Sequence, residues 1–534
     1  MSHELIAAID AGTTGIRCSI VDREGAELSY SYQRVPTIYP APGFAEQDPR
    51  TIINLSFQAV SQAIHNCPAD PRDIIGLCIT NIRNSFVPMD ADGGFLTNMV
   101  IWQDQRGEQV KPWMLERLKE NGLGIEDLYR VSGQPFGSFQ SGFKAIWFRH
   151  YMDSLYRKTH KLATPQAYLT HAFGVQDYWE ENNDLCCWLV ADVDQARIDD
   201  TLCSVFDLDP DKFFPAVPPG TKTGVVSETA SRATGLVEGT PIYAGSGDQQ
   251  CGALGAGNYG TQEMLTICMG TAGLCIAWSP RPIRHPDGKC QVHGHPAGGY
   301  TIESHSSSCM SSYQWLKDTF FAEGKSMENI DGLLMEEAKK APAGSGGVVF
   351  LPWLQGAACP HYDDSARGAF AGMTLATGKK EIIRSVVEGI SFETKMMLDT
   401  LVKPLALPIK RIRLLGGASH SGFWNQLQAD IYGLPVETTV QKEATVLGAA
   451  MIGAVGAGLY KDFKDAVLHM TKREAGYVPV PANTEKYEEI FELWNECYHD
   501  LSRSTFGKIH HYQKKLRHGF ISQMPDDPDQ GGIR

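Results

Sequence analysis

Asp10 closes the apolar run "LIAAID" and is followed at once by a turn of small residues, Ala-Gly-Thr-Thr-Gly. These types suit phosphate chemistry. Gly12 lets the backbone come close to an anion, and the nearby N–H groups, with the hydroxyls of Thr13 and Thr14, can hold phosphate oxygens. Asp10, a carboxylate at a strand end, can meet a Mg2+ ion directly or through water. An ordinary glycine-rich hairpin explains the same residues on this stretch alone. It is not a Walker loop, because the GxxxxGK[ST] spacing is missing from it.

Three more places carry residues that can do chemistry. In "GSGDQQ" Asp248 stands between a glycine and two glutamines. A sharp turn there can present the carboxylate to a cleft, where it could take a proton from a substrate hydroxyl. Asp is also a favoured helix N-cap, and that reading stays open. "CMGTAG" holds a second small-residue turn with a threonine, at Gly270 and Thr271. "LLGGASHSG" is a strand running into Gly416-Gly417 and then into a helix, a place where a nucleotide can lie.

The elements that must position these residues follow from periodicity. "LIAAID" and "IRCSIVD" read as strands around the first turn, and "REGAELSYSYQR" as a hairpin partner. A Pro/Gly-rich loop, "YPAPGFAEQDP", precedes a helical pattern over 49–67, and "IIGLCIT" is a short buried strand. The strand–turn–strand plan returns at 260–279, and 409–437 read as strand, Gly-Gly turn, helix and strand. These patterns predict a mixed α/β protein of two domains with a related plan, 1–250 and 251–480. A long amphipathic helix and a polar tail over 517–534 complete a last block, 481–534, and the tail is expected to be disordered.

Composition narrows the function classes. The chain has 534 residues and a net charge of −14, which argues against a nucleic-acid partner but leaves room for a phosphorylated ligand held by local N–H groups. No apolar run is long enough to span a bilayer, so no membrane association is expected. Thirteen cysteines without a CxxC or metal-ligand pattern read as reduced thiols. With no signal-peptide pattern at the start, they predict a cytoplasmic protein.

Taken in order, the four motifs resemble those of the FGGY family of carbohydrate kinases, and the resemblance runs from about residue 5 to about residue 500. Supporting segments fall between them: "GLCITNIRNS", "VIWQDQRGEQV", "LPWLQGAACPHYDDSARGAFAGM" and "EATVLGAAMIGAVGAG". The resemblance implies two actin-like, ribonuclease-H-like ATPase domains with a cleft between them. It implies ATP as phosphate donor, Mg2+, a small sugar or polyol as acceptor, and a possible homodimer. Residue by residue, Asp248 matches the catalytic base, and Asp10 and Asp248 the carboxylates linked to the metal. Gly12, Thr13, Thr14, Arg17, Gly270 and Thr271 match phosphate-binding positions. Gly416, Gly417 and Ser421 match adenosine-binding positions. Arg83, Trp102, Asp104, Phe139, Asp248 and Gln249 match acceptor-binding positions.

Glycerol kinases in this family carry Arg-Glu where this chain has Arg83-Asn84, a cysteine in place of Asp104, and an aromatic near Leu274. The differences favour a ketose such as a pentulose, or a polyol larger than glycerol. Glycerol kinases and autoinducer-2 kinases are the alternatives, and a non-catalytic, sugar-sensing protein of the same fold is the alternative from another class. Such a protein is expected to lose Asp248 or a phosphate loop, and this chain keeps both.

Overall fold

The computed structural model describes residues 4–321 and 330–521. Two sheets dominate it. The first takes strands β1 (Leu5–Ala11), β2 (Gly15–Val21), β3 (Glu27–Arg34), β4 (Ile74–Asn81), β5 (Lys222–Val225) and β6 (Pro241–Tyr243), in the order β5-β6-β4-β1-β2-β3. The second takes β7 (Met264–Met269), β8 (Gly273–Ser279), β9 (Gln291–Gly294), β10 (Tyr300–Ser306), β11 (Arg411–Gly416), β12 (Val436–Thr439) and β13 (Arg473–Tyr477), in the order β9-β10-β8-β7-β11-β12-β13.

Five strands of each sheet repeat one plan. β3, β2 and β1 are antiparallel neighbours, and β4 and β6 then run parallel to β1. In the second sheet β10, β8 and β7 are antiparallel, and β11 and β12 run parallel to β7. This is the expected pair of actin-like domains. β1 is apolar on both faces because it is central, with a neighbour on each side and helices above and below. Helix α1 (Pro49–Asn66) starts where Asp48 accepts hydrogen bonds from the Arg50 and Thr51 N–H groups, and it lays Ile52, Ser56, Ala59, Val60 and Ala63 on the first sheet.

A pair of glycine-rich helices joins the halves. Helix α2 (Asp248–Gly255) lies against α3 (Ala444–Gly456), and both are buried along most of their length. A Cβ on Gly255 would fall 2.0 Å from the Ala444 carbonyl oxygen, and one on Gly448 1.9 Å from that of Cys251. Only glycine permits this spacing. On its other side α3 meets the first sheet, where a Cβ on Gly453 would reach Ile6 and Cys78. The expected division at residues 250 and 251 falls inside continuous α2.

The C-terminal region differs from its expectation. Instead of one long helix there are two, α4 (Pro481–Ser504) and α5 (Phe506–Ile521), broken at Thr505. Tyr487, Trp494 and Tyr498 of α4 enter the core of the second domain, so this helix is part of that domain's packing. The first residues of the expected tail, 517–521, are helical, and 522–534 lie outside the described residues. Among the described residues no helix is long and apolar enough to cross a membrane.

Candidate active site

A cavity of about 380 Å³ lies between the domains. Thr13, Arg83, Trp102, Asp104, Phe139, Asp248, Gln249, Gly270 and Thr271 all line it, although 258 residues of chain separate the first from the last. The two hairpin turns bring the phosphate-type residues to it. In the first the Gly12 N–H donates to the Gly15 carbonyl at 3.0 Å, and in the second the Gly270 N–H donates to that of Ala272 at 3.1 Å.

Asp248 is the first residue of α2, with Gly247 as the cap. Its Oδ1 accepts from the Gln249 N–H at 2.8 Å, and the Arg83 Nε lies 3.6 Å away. Burial raises the Asp248 pKa, and Arg83 works against that rise. Arg83 is itself held by Glu303, with contacts of 2.8 and 3.3 Å. Burial opposes ionisation of Glu303, yet Arg83 and His293 pull its carboxyl down to about 2, so the ion pair persists across the acidic range.

Asp10 lies behind the turn that Thr13 presents. Burial, then the Asp248 and Glu443 carboxylates, push its carboxyl up to about 8, against the pull of Arg17. Its Oδ1 is buried without a hydrogen-bond partner. An orphaned carboxylate oxygen beside a second carboxylate is the arrangement that a divalent cation would complete. No group of three His, Cys, Asp or Glu side chains among the described residues could hold a metal alone. The donor set fits an ion such as Mg2+ that takes one or two carboxylates and completes its shell with water and phosphate oxygens.

Two expected roles change. Asp104 was expected to bind the acceptor. Its Oδ1 accepts from the Arg106 N–H and Nε at 2.9 and 2.8 Å, and its Oδ2 from the Ala45 N–H and Arg106 Nη2 at 2.7 and 2.9 Å. All the acceptor capacity of the carboxylate is in use, so Asp104 positions the wall and does not reach into the cavity as a free ligand. Arg17 was expected at the phosphates. Its guanidinium pairs with both Glu27 oxygens at 2.9 and 3.0 Å and stacks on Tyr30, 4.1 Å from the ring centre. It faces Asp10 across the β1–β2 pair and acts on it through charge.

The remaining expected residues surround this centre. Thr14 touches Tyr32 at 3.4 Å. Gly416 is at φ +80°, and a Cβ there would meet the Met269 carbonyl oxygen at 2.3 Å, so the Gly416-Gly417 turn lies directly beside the second hairpin. Ser421 caps the helix Gly422–Tyr432, accepting from the Trp424 N–H at 3.3 Å. None of these four, nor Gly12, lines the cavity itself. The Trp102 indole N–H donates to Thr13 Oγ1 at 2.8 Å, which joins this part of the cavity wall to the first hairpin.

Sequence reasoning missed several wall residues. His305 receives the Gln291 amide on Nδ1 at 3.0 Å, and Gln291 is oriented in turn by His293 at 3.1 Å. Burial, aided by Arg83, lowers the His305 pKa to about 4, so this ring on the cavity wall is neutral, with its proton on Nε2. Lys144, fully buried, donates to the carbonyls of Asn84 and Phe139 at 2.8 and 2.7 Å and so fixes two stretches of the wall. Burial lowers its pKa to about 7, with Asp104 working the other way. A lysine inside the otherwise apolar "FKAIWF" was the available signal.

Comparison with known proteins agrees with this geometry. Residues 5–255 match the model of the FGGY family of carbohydrate kinases, N-terminal domain, and residues 265–457 match that of the C-terminal domain. The chain is similar to a xylulose kinase of Bacillus subtilis, at 26% identity over 92% of this chain and 96% of the relative. It is similar to a glycerol kinase of Gloeobacter violaceus, at 30% identity over 86% of this chain and 90% of the relative. Among solved structures, a ligand-bound xylulose kinase from Lactobacillus acidophilus superposes with a TM-score of 0.85, at 21% identity over 95% of this chain and 99% of the other. Two matched domains, relatives along nearly the whole length and a cleft built on paired hairpins lead to one statement: this chain belongs to the FGGY family of carbohydrate kinases.

Proposed function

We propose that this carbohydrate kinase transfers the γ-phosphoryl group of ATP to a hydroxyl of a pentulose-like ketose or a polyol larger than glycerol. The observation that carries the reading is Asp248, a half-buried carboxylate of raised pKa on the cavity wall that also carries Gly270 and Thr271. In this role Asp248 accepts the proton of the acceptor hydroxyl, and burial makes it the stronger base. Arg83, anchored by Glu303, keeps it in place. Trp102 and Phe139 offer flat apolar faces to the carbon skeleton, and Gln249 and the His305 Nε2 proton offer hydrogen bonds to its hydroxyls. The N–H groups around Gly12, Thr13, Gly270 and Thr271 stabilise charge on the phosphoryl oxygens. Gly416, Gly417 and Ser421 support a nucleoside beside the second hairpin.

Asp10 and Asp248 would hold Mg2+, which when bound neutralises phosphate oxygens. Closure of the domains would keep water from taking the phosphoryl group. Thirteen free thiols support a cytoplasmic setting, and sedimentation would test the homodimer that the family resemblance implies.

The test is ADP release from ATP with xylulose, ribulose, erythritol, glycerol or autoinducer-2 as acceptor. The expected result is acceptor-dependent release, greatest with a ketose or the larger polyol. Release with none of a broad panel overturns the kinase reading for this chain, and preference for glycerol overturns the acceptor assignment. Asp248→Asn should lower turnover by roughly 10²–10⁴-fold, the usual contribution of a general base, while ATP binding by calorimetry stays close to wild type. Wild-type turnover in that variant removes Asp248 from the role.

A further inference from the structure

A second cavity, of about 470 Å³, lies at the domain junction away from the hairpins. One wall comes from the first domain, with Asn182, Asn183, Cys186 and Pro218. The other comes from the second domain, with His295 and Tyr300. It shares no lining residue with the active-site cavity.

Its polar groups lack partners. Asn182 Oδ1, Asn183 Nδ2 and His295 Nε2 are buried with no hydrogen bond, and Asn183 and His295 are only 8% and 2% exposed. His295 Nδ1 accepts from the Ala297 N–H at 3.1 Å, so the neutral ring carries its proton on Nε2. Burial lowers the His295 pKa to about 3, against the pull of the Asn258 carbonyl, and no partner meets Nε2 with hydrogen-bond geometry. Asn183 is also given room deliberately: a Cβ on Gly294 would fall 1.9 Å from its Oδ1. Buried polar atoms are nearly always paired, so three orphans around one cavity call for a molecule that supplies both donors and acceptors.

The charge of the lip selects among such molecules. Asp192 and Asp194 line it and, among the described residues, no lysine or arginine does; Arg284 is held by Asp194 at 2.8 Å, and Arg197, across the strand pair from Asp192, donates to Gln195 at 2.8 Å. A phosphate or carboxylate would meet net negative charge there. The Tyr300 ring and the proline faces suit the C–H face of a carbon skeleton. We propose that this cavity is a second binding site for a neutral polyhydroxylated molecule, a sugar or polyol, recognised by Asn182, Asn183 and His295. Because each domain supplies one wall, the bound molecule ties residues 182–196 to residues 280–300.

Equilibrium dialysis against radiolabelled xylitol, without ATP and carried to saturation, tests this. Asn183→Leu and Asn182→Leu remove the donor and the acceptor at nearly constant volume. The expected result is one fewer xylitol per chain at saturation in each variant than in wild type, with inorganic phosphate unable to displace that xylitol. Acceptor-dependent ADP release should persist in both variants, which shows that they are folded and separates this site from the active site. Equal stoichiometry in wild type and both variants overturns the proposal and leaves ordered water as the partner of the orphaned groups. Displacement by phosphate overturns the neutral-ligand assignment.

Discussion

The hairpins facing each other across the cleft are built from one pattern, Asp10-Ala-Gly-Thr-Thr-Gly in the first domain and Cys268-Met-Gly-Thr-Ala-Gly in the second. They differ most where it matters electrically. The first offers a buried carboxylate, and the second offers at the same place a thiol. Both are under strain of charge. Burial with Asp248 and Glu443 pushes the Asp10 carboxyl up to about 8. Burial with Asp248, Glu443 and Asp10 pushes the Cys268 thiol up to about 12. Three carboxylates, Asp10, Asp248 and Glu443, already repel one another, and a neutral group on the facing hairpin prevents a fourth from adding to them. The duplicated fold thus supplies two small-residue hairpin turns at the cleft, but only the first brings a carboxylate.

Substitutions can break that asymmetry. The largest effect is expected from Asp10→Asn, which leaves both hairpins uncharged. Turnover should fall by roughly 10²–10³-fold, as when one electrostatic contact to a transition state is removed, and the Mg2+ dependence of the remaining rate should weaken. Unchanged Mg2+ dependence would detach Asp10 from the ion.

Cys268→Asp makes the hairpins alike in the opposite sense. A fourth carboxylate without a cation should destabilise the protein by roughly 3–5 kcal/mol, the usual penalty of an uncompensated buried charge, and Mg2+ should restore part of it in thermal melts. A smaller effect concerns pH. Asp10 has its folded pKa raised from 3.8 to about 8, so between these values the folded state binds the extra proton and stability falls as pH rises. The melting temperature of Asp10→Asn minus that of wild type should therefore grow from pH 4 towards pH 8, and a flat difference contradicts the assignment. Cys268→Ser, which keeps the facing hairpin neutral, should change turnover least, by less than about 1 kcal/mol of barrier.

Much of the fold was legible because hairpins are local. Alternation around "AGTTG" and "MGTAG" marked both strand pairs, and Gly416-Gly417 marked the end of β11. The parts of the site that stayed hidden depend on distant partners. Glu303 is 220 residues from Arg83, and nothing in its own neighbourhood says that it anchors an active-site arginine. Asp104 looked like an acceptor ligand because its type and motif fit. Only the fold shows Arg106 and the Ala45 N–H filling its oxygens. Helix α4 read as a separate amphipathic block because the seven- and four-residue spacing of Tyr487, Trp494 and Tyr498 marks an apolar face without saying which core receives it.

Lys144 has a consequence of its own. With its pKa lowered to about 7 by burial, it gives up its proton far more readily than an exposed lysine. An ammonium has three N–H donors and the neutral amine two, and two carbonyls, those of Asn84 and Phe139, are all that the side chain must satisfy. Losing the proton therefore removes a unit of charge from behind the cavity wall without removing either hydrogen bond. The wall keeps its shape while its potential changes, an electrical adjustment with no mechanical counterpart.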